Sequence, residues 1–205
     1  MEATVLRRND PGCSSSSWLN WSEEQCSANS LPIVQHRTYH DPLNVTKILE
    51  TPSDVPPMPW IIEQFGRLLM DLSFFSCKLS SICTPSSCDQ MKTTPEWVFL
   101  CAAHKQPCDC SGVDYTVHTI DSAIRCYCEL SKTEESIGRL DLIRTHCRRL
   151  VRILLHAAHH HKELLIEHES VTALCKKFCS FCLKFDIITV KQLNFPSIPE
   201  LELNL

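Results

Sequence analysis

Two thiols and a run of imidazoles are the residues of this chain best suited to chemistry. Cys83-Thr84-Pro85-Ser86-Ser87-Cys88 sets two cysteines apart by four residues in a turn-forming stretch, and His156-Ala157-Ala158-His159-His160-His161 supplies four histidines much further along. Two thiolates and two neutral imidazoles are the donor set of a tetrahedral zinc site. An ion with all four positions filled by protein has no place for substrate or water. It would therefore fasten the cysteine loop to the histidine segment rather than catalyse. On an ideal helix His156 shares a face with His159 or His160. His161 lies about 140° round from His156, so that pair needs a local distortion or an ion seated between the two arcs. Spacing alone leaves the second histidine open. The competing reading is a loop with two core thiols and a solvated histidine run.

The same stretch carries Arg144, Arg148, Arg149 and Arg152. Arg144, Arg148 and Arg152 form one helical stripe with Arg149 beside it. Ile143, Cys147, Leu150, Val151 and Leu154 face the opposite way, toward a core. No acidic residue interrupts the stripe, so the guanidinium groups repel one another unless an anion joins them. Guanidinium forks suit phosphate, which makes a phosphopeptide the sharper expectation. A solvated face paired with acids from elsewhere is the plainer one. A second metal set from Cys108, Cys110, Cys126 and Cys128 is disfavoured, because helical residues two apart diverge. A Cys/His catalytic pair is disfavoured too, since no oxyanion loop accompanies it.

Helices must position these groups. Residues 1–56 are polar and irregular and read as an extended, partly ordered arm. Pro52, Pro56, Pro57 and Pro59 then lead into an amphipathic helix from Trp60 to about Leu79, marked by Ile61, Ile62, Phe65, Leu68, Leu69, Leu72 and Phe75. Residues 83–95 form the cysteine loop, and Trp97 to Cys101 is helix or strand by pattern alone. Further helices are expected over Val113–Cys128, Ile137–His168 and Val171–Ile187. The sum is an all-α bundle, residues 57–205, behind the arm.

With 205 residues, 43% of them hydrophobic, the chain can build one core. Four glycines and few aromatics argue against a β-rich fold. A net charge of −4 argues against nucleic acid as a general partner. No apolar run approaches the roughly 20 residues of a membrane span. The start lacks the apolar stretch of a signal peptide, so the fourteen cysteines are expected as reduced thiols in the cytoplasm. Cys175, Cys179 and Cys182 recur at helical spacing among Phe178, Phe181 and Phe185, as small buried hydrophobes do.

Several stretches together carry a family resemblance: Val5-Leu6-Arg7-Arg8-Asn9 with Pro11-Gly12, Lys47-Ile48-Leu49-Glu50, the run from Trp97 to Lys105, Asp114-Tyr115-Thr116 with His118, Thr119 and Asp121, and Cys147-Arg148-Arg149 with Arg152 and His156. In these the chain resembles the MOB kinase activator family, and within it the phocein-like members. The resemblance implies a zinc-stabilised all-α bundle whose one structural Zn2+ is held by Cys83, Cys88, His156 and His161. It thereby moves the fourth ligand from His159 or His160 to His161. It implies phosphopeptide binding at Arg148, Arg149 and Arg152. It also implies no enzymatic activity but an adaptor role, linking a striatin-like scaffold to sterile-20-like kinases and a type 2A phosphatase. The location implied is cytoplasmic, with peripheral association at Golgi or other membranes through those partners. A direct kinase coactivator is the alternative role, and a zinc-dependent hydrolase the remote one. The family's aromatic-Pro segment is missing from the short stretch between Leu130 and Gly138.

Overall fold

The computed structural model describes residues 30–131, 138–201 and 203. Seven helices account for most of them: α1 Ser30–His40, α2 Val45–Leu49, α3 Pro57–Leu79, α4 Gly112–Leu130, α5 Arg139–His160, α6 Lys162–Thr172 and α7 Leu174–Lys184. Two short 3-10 turns follow, Val190–Gln192 and Pro199–Leu201. Among the described residues the only β pairing is two isolated bridges, Lys92 with Val98 and Cys101 with Cys108. The all-α class expected from the sequence is the class observed.

The helix α3 begins earlier than its apolar pattern does. Pro57 sits in the first turn, where its missing N–H costs nothing. Phe65, Leu69, Leu72, Phe75 and Leu79 are fully buried along one stripe. That stripe packs on α4, and α4 in turn on α5. Ser111 caps α4 by accepting the Asp114 N–H at 3.2 Å and donating its own hydroxyl to the Asp114 carboxylate at 2.6 Å. The Leu130–Gly138 stretch singled out in the sequence lies largely outside the described residues, as do residues 1–29 of the arm.

The rest of the arm is not extended. Residues 30–40 and 45–49 are helical, and Ile33 and Val34 bury with Trp60 at the start of α3. Long-range bonds hold them there. Gln64 donates to the Ile48 carbonyl at 2.7 Å, Lys184 to the Leu49 carbonyl at 2.7 Å, and Arg37 to the Lys47 carbonyl at 2.9 Å. A boundary at residue 57 therefore falls between elements that pack together. Local periodicity in so short and weakly amphipathic a segment is too faint to announce a helix that tertiary contacts stabilise.

The long C-terminal pattern divides into three helices. α5 stops at His160, α6 runs to Thr172, and Ala173 adopts a left-handed conformation (φ 49°) before α7. The Glu169 carboxylate accepts the Cys175 and Lys176 N–H groups at 2.6 and 2.9 Å, satisfying the open amides of α7. Cys147, Cys175, Cys179 and Cys182 are all buried in the core, where they act as apolar filler. Among the described residues no helix is long and apolar enough to cross a membrane.

Candidate metal centre

The turn between α3 and the following loop is built from its own small polar side chains. Cys83 N–H donates to Leu79 O and Cys88 N–H to Thr84 O, both at 2.8 Å, while the Ser87 hydroxyl donates to Ile82 O at 2.9 Å. These bonds aim both thiols at the C-terminal end of α5. Across the gap, Cys83 Sγ lies 3.4 Å from His156 Nε2 and Cys88 Sγ 3.3 Å from His161 Nε2. All four donor atoms fall within 4.8 Å of one another and could hold a metal ion. For Zn–S near 2.3 Å and Zn–N near 2.0–2.1 Å, a tetrahedron has sulfur–nitrogen edges of about 3.6 Å, close to the spacings here.

His161 reaches this cluster because the helix breaks at it. Its φ of −138° and ψ of 41° end α5, and α6 restarts one residue later. That break is the local distortion which pairing His156 with His161 demands. His159 and His160 remain exposed and outside the donor set. His160 only stacks beside His156, with ring centroids 4.8 Å apart.

The surroundings suit ligation. His156 Nδ1 donates to the Lys92 carbonyl at 2.6 Å, which leaves the Nε2 lone pair facing Cys83. Burial, aided by His160 and His161, pulls the His156 imidazolium down to about 4 despite the Lys92 bond, so the ring is neutral. Burial and then the neighbouring Cys88 push the Cys83 thiol up to about 12. A dication among these groups reverses that preference and stabilises thiolate. Gly112 opens α4 directly under the cluster and donates its N–H to Cys88 O at 2.9 Å. A Cβ placed on it would lie 2.9 Å from both Cys83 Sγ and His156 Nε2.

The arginine stripe divides. Arg144 is engaged: it donates to Asp141 at 3.1 Å and to the Asp186 carbonyl at 2.9 and 3.1 Å. The anion its charge required is thus supplied by the protein itself. Arg148 and Arg152 line a cleft of about 550 Å³, with Lys191 as a third cation and Trp97, Phe99 and Phe195 as apolar walls. Arg152 donates to the Tyr115 hydroxyl at 3.2 Å and lies over the Phe99 ring at 4.6 Å. Arg148 is exposed and makes no ion pair among the described residues. Arg149 is not part of this lining; it lies near His146, whose pKa is lowered mainly by burial and further by this guanidinium.

Of the cysteines set aside in the sequence, Cys126 and Cys128 sit on α4, Cys126 buried and Cys128 half-buried. Neither joins Cys108 or Cys110 in a donor set. Residues that sequence reasoning missed include Lys92, which acts through its carbonyl and leaves no sequence signal, and Gly112. A glycine directly after a capping serine at a helix start was visible, but its reason, the closeness of two ligand atoms, was not.

Comparison with known proteins agrees with this architecture. Residues 36–196 match the model of the Mob1/phocein family. The chain is 35% identical to the MOB kinase activator-like 4 of Drosophila melanogaster over 95% of its own length and 91% of the relative's. It is also 35% identical to the MOB-like protein phocein of Caenorhabditis elegans, over 97% of its own length and 93% of the relative's. The chain belongs to the Mob1/phocein family.

Proposed function

We propose that this chain is a non-catalytic adaptor that links a striatin-like scaffold to sterile-20-like kinases and a type 2A phosphatase, and that it docks phosphorylated partner segments. In this reading Cys83, Cys88, His156 and His161 hold one structural Zn2+. The ion ties the loop after α3 to the junction of α5 and α6, and with four protein ligands it leaves no position for hydrolytic water. Phosphate is received by Arg148 and Arg152, with Arg149 adding positive charge from the adjoining face of α5. The observation that carries the reading is the preset Arg152. Its guanidinium is oriented by Tyr115 and Phe99 beside Arg148, which makes no ion pair among the described residues, in a cleft with a third cation and aromatic walls. Oriented guanidinium groups bind a phosphate dianion with little further ordering.

The test is binding of phosphorylated and unphosphorylated peptides from co-purifying partners, identified by mass spectrometry after affinity isolation of the full chain. Replacing Arg148 and Arg152 with Ala should weaken the phosphorylated peptides roughly tenfold per arginine, at the level of a charge-assisted hydrogen bond, with helicity unchanged. Equal affinity for both peptide forms would dismiss the phosphate site. Direct kinase coactivation is the second reading, favoured by the name of the Drosophila relative, a MOB kinase activator-like protein. Stimulation of a purified sterile-20-like kinase by this chain without any scaffold would select it over the adaptor.

A further inference from the structure

We propose that Lys191, on the 3-10 turn after α7, is the third phosphate ligand of the cleft beside Arg148 and Arg152, an assignment that rests on the phosphate-docking role proposed for that cleft. Arg149 then serves only by distant charge. On α5 the cleft is lined by Arg148, Val151, Arg152, Leu155 and His159. At about 100° per residue these five positions span an arc of about 100°. Arg149 falls about 60° beyond the edge of that arc, and it lies near the buried His146 instead.

The third cation comes from a different element. Lys191 lines the cleft from the C-terminal segment, and its side chain makes no ion pair among the described residues. No aspartate or glutamate is among the described residues that line the cleft, so its three cations have no protein anion within it. A cleft of one sign of charge draws in a ligand of the other. A phosphorylated side chain presents three terminal oxygens and up to two negative charges. Two arginines on one helical stripe approach those oxygens from a single element. A lysine from a separate segment adds a charged donor for the third.

The backbone that carries Lys191 is fixed at both ends. Thr189 and Gln192 close a capping box round the turn Val190–Gln192, with Gln192 Oε1 accepting the Thr189 N–H at 3.2 Å. The Leu193 N–H donates to the Val190 carbonyl at 3.0 Å, and Leu193, Ile198 and Leu201 are buried in the core. The turn thus holds its place while the exposed lysine side chain stays free to close on a ligand. Phosphate bound this way joins the C-terminal segment to α5, so tail amides should open less often when it is present.

The full chain is to be titrated with inorganic phosphate and with O-phosphothreonine at constant ionic strength, and binding read from the NMR shifts of its arginine and lysine side-chain nitrogens. Lys191→Ala should weaken both ligands roughly tenfold, at the level of a hydrogen bond to a charged group, and Lys191→Arg should recover most of the loss. Arg149→Ala should weaken them about twofold or less. Phosphate should slow hydrogen exchange at the Leu193 and Phe195 amides of the parent but not of Lys191→Ala. If Arg148→Ala and Arg152→Ala weaken binding while Lys191→Ala binds like the parent, this proposal is overturned and the phosphate site stands. A loss on Arg149→Ala as large as that on Lys191→Ala would also overturn it. Absence of saturable binding by the parent would overturn the phosphate site itself, and Lys191 with it.

Discussion

Replacing Gly112 with alanine sets two physical effects against each other. Its backbone is that of an ordinary first helical residue, and alanine there gains up to about 1 kcal/mol of helix propensity over glycine. Propensity alone therefore predicts a more stable protein. The structure predicts the opposite, because the new Cβ would stand 2.9 Å from Cys83 Sγ, 2.9 Å from His156 Nε2 and 3.2 Å from Cys88 Cβ. Ordinary contact begins near 3.4 Å, so two ligand atoms must retreat by about 0.5 Å, beyond the roughly 0.2 Å that a metal–ligand bond tolerates. Overpacking of this kind costs about 1–3 kcal/mol. The metal-free cluster can relax away from the methyl group, whereas the loaded one is pinned. The strain should thus fall mainly on the bound state and weaken zinc by roughly 5- to 150-fold. Competition with a chromophoric chelator measures that shift, and melting with and without EDTA shows where it falls. Gly66→Ala is the control: its Cβ collides with the Tyr127 ring, far from the ligands, and should lower stability without changing zinc affinity. If Gly112→Ala binds zinc like the parent and melts at or above it, the placement of the cluster over the start of α4 is wrong.

Lys177 and Asp71 form a buried pair at 2.5 Å, with Arg67 also on Asp71 at 2.9 Å. Asp71→Asn should cost about 3–5 kcal/mol in urea unfolding by stranding the lysine, while Asp71→Leu with Lys177→Met should recover most of the loss. Truncating Glu169 to Ala removes the acceptor for the first amides of α7 and should lower stability by about 1–2 kcal/mol, read from the same unfolding curves. His168 is held below its ordinary 6.5, chiefly by burial and then by Lys78 and Lys177, against a smaller opposing pull from Asp71 and Glu167. The unfolded chain takes up this proton first, so stability falls as pH drops below about 6.5. The melting temperature of His168→Gln should decline less than the parent's between pH 7.5 and 5.5, and an equal decline would remove His168 from the account.

The elements with strong period were legible. The buried stripe of α3 and the core face of α5, from Ile143 through Leu154, follow directly from residue spacing. The break at His161 was not legible, because Ala157 to Glu163 contains neither proline nor glycine and its pattern continues without interruption. Only the demand that His156 and His161 face one point required a distortion there. The first two helices escaped notice for a different reason: they are held by carbonyls bonded to Arg37, Gln64 and Lys184, contacts that no local pattern encodes. By spacing Arg144 belongs to the anion-binding stripe, because Asp186, 42 residues further along, gives no local sign that it lies against this guanidinium. In sequence Cys110 groups with Cys108, Cys126 and Cys128, two pairs with one residue between their members. Its neighbours in space are Cys101, His104 and His118, and the short Cys101-to-His104 interval was the available clue.

Each thiol of the first centre faces a histidine 73 residues further along the chain. No fragment shorter than that interval contains both halves, so the chelate cannot assemble locally in the way that a zinc finger does. Metal capture must wait until α3, α4 and α5 have already come together. An ion acquired under that condition certifies a finished tertiary structure, and its release under zinc scarcity would withdraw folded molecules by mass action. The supply of a trace metal would then set how much folded protein a cell has available, independently of how much it synthesises.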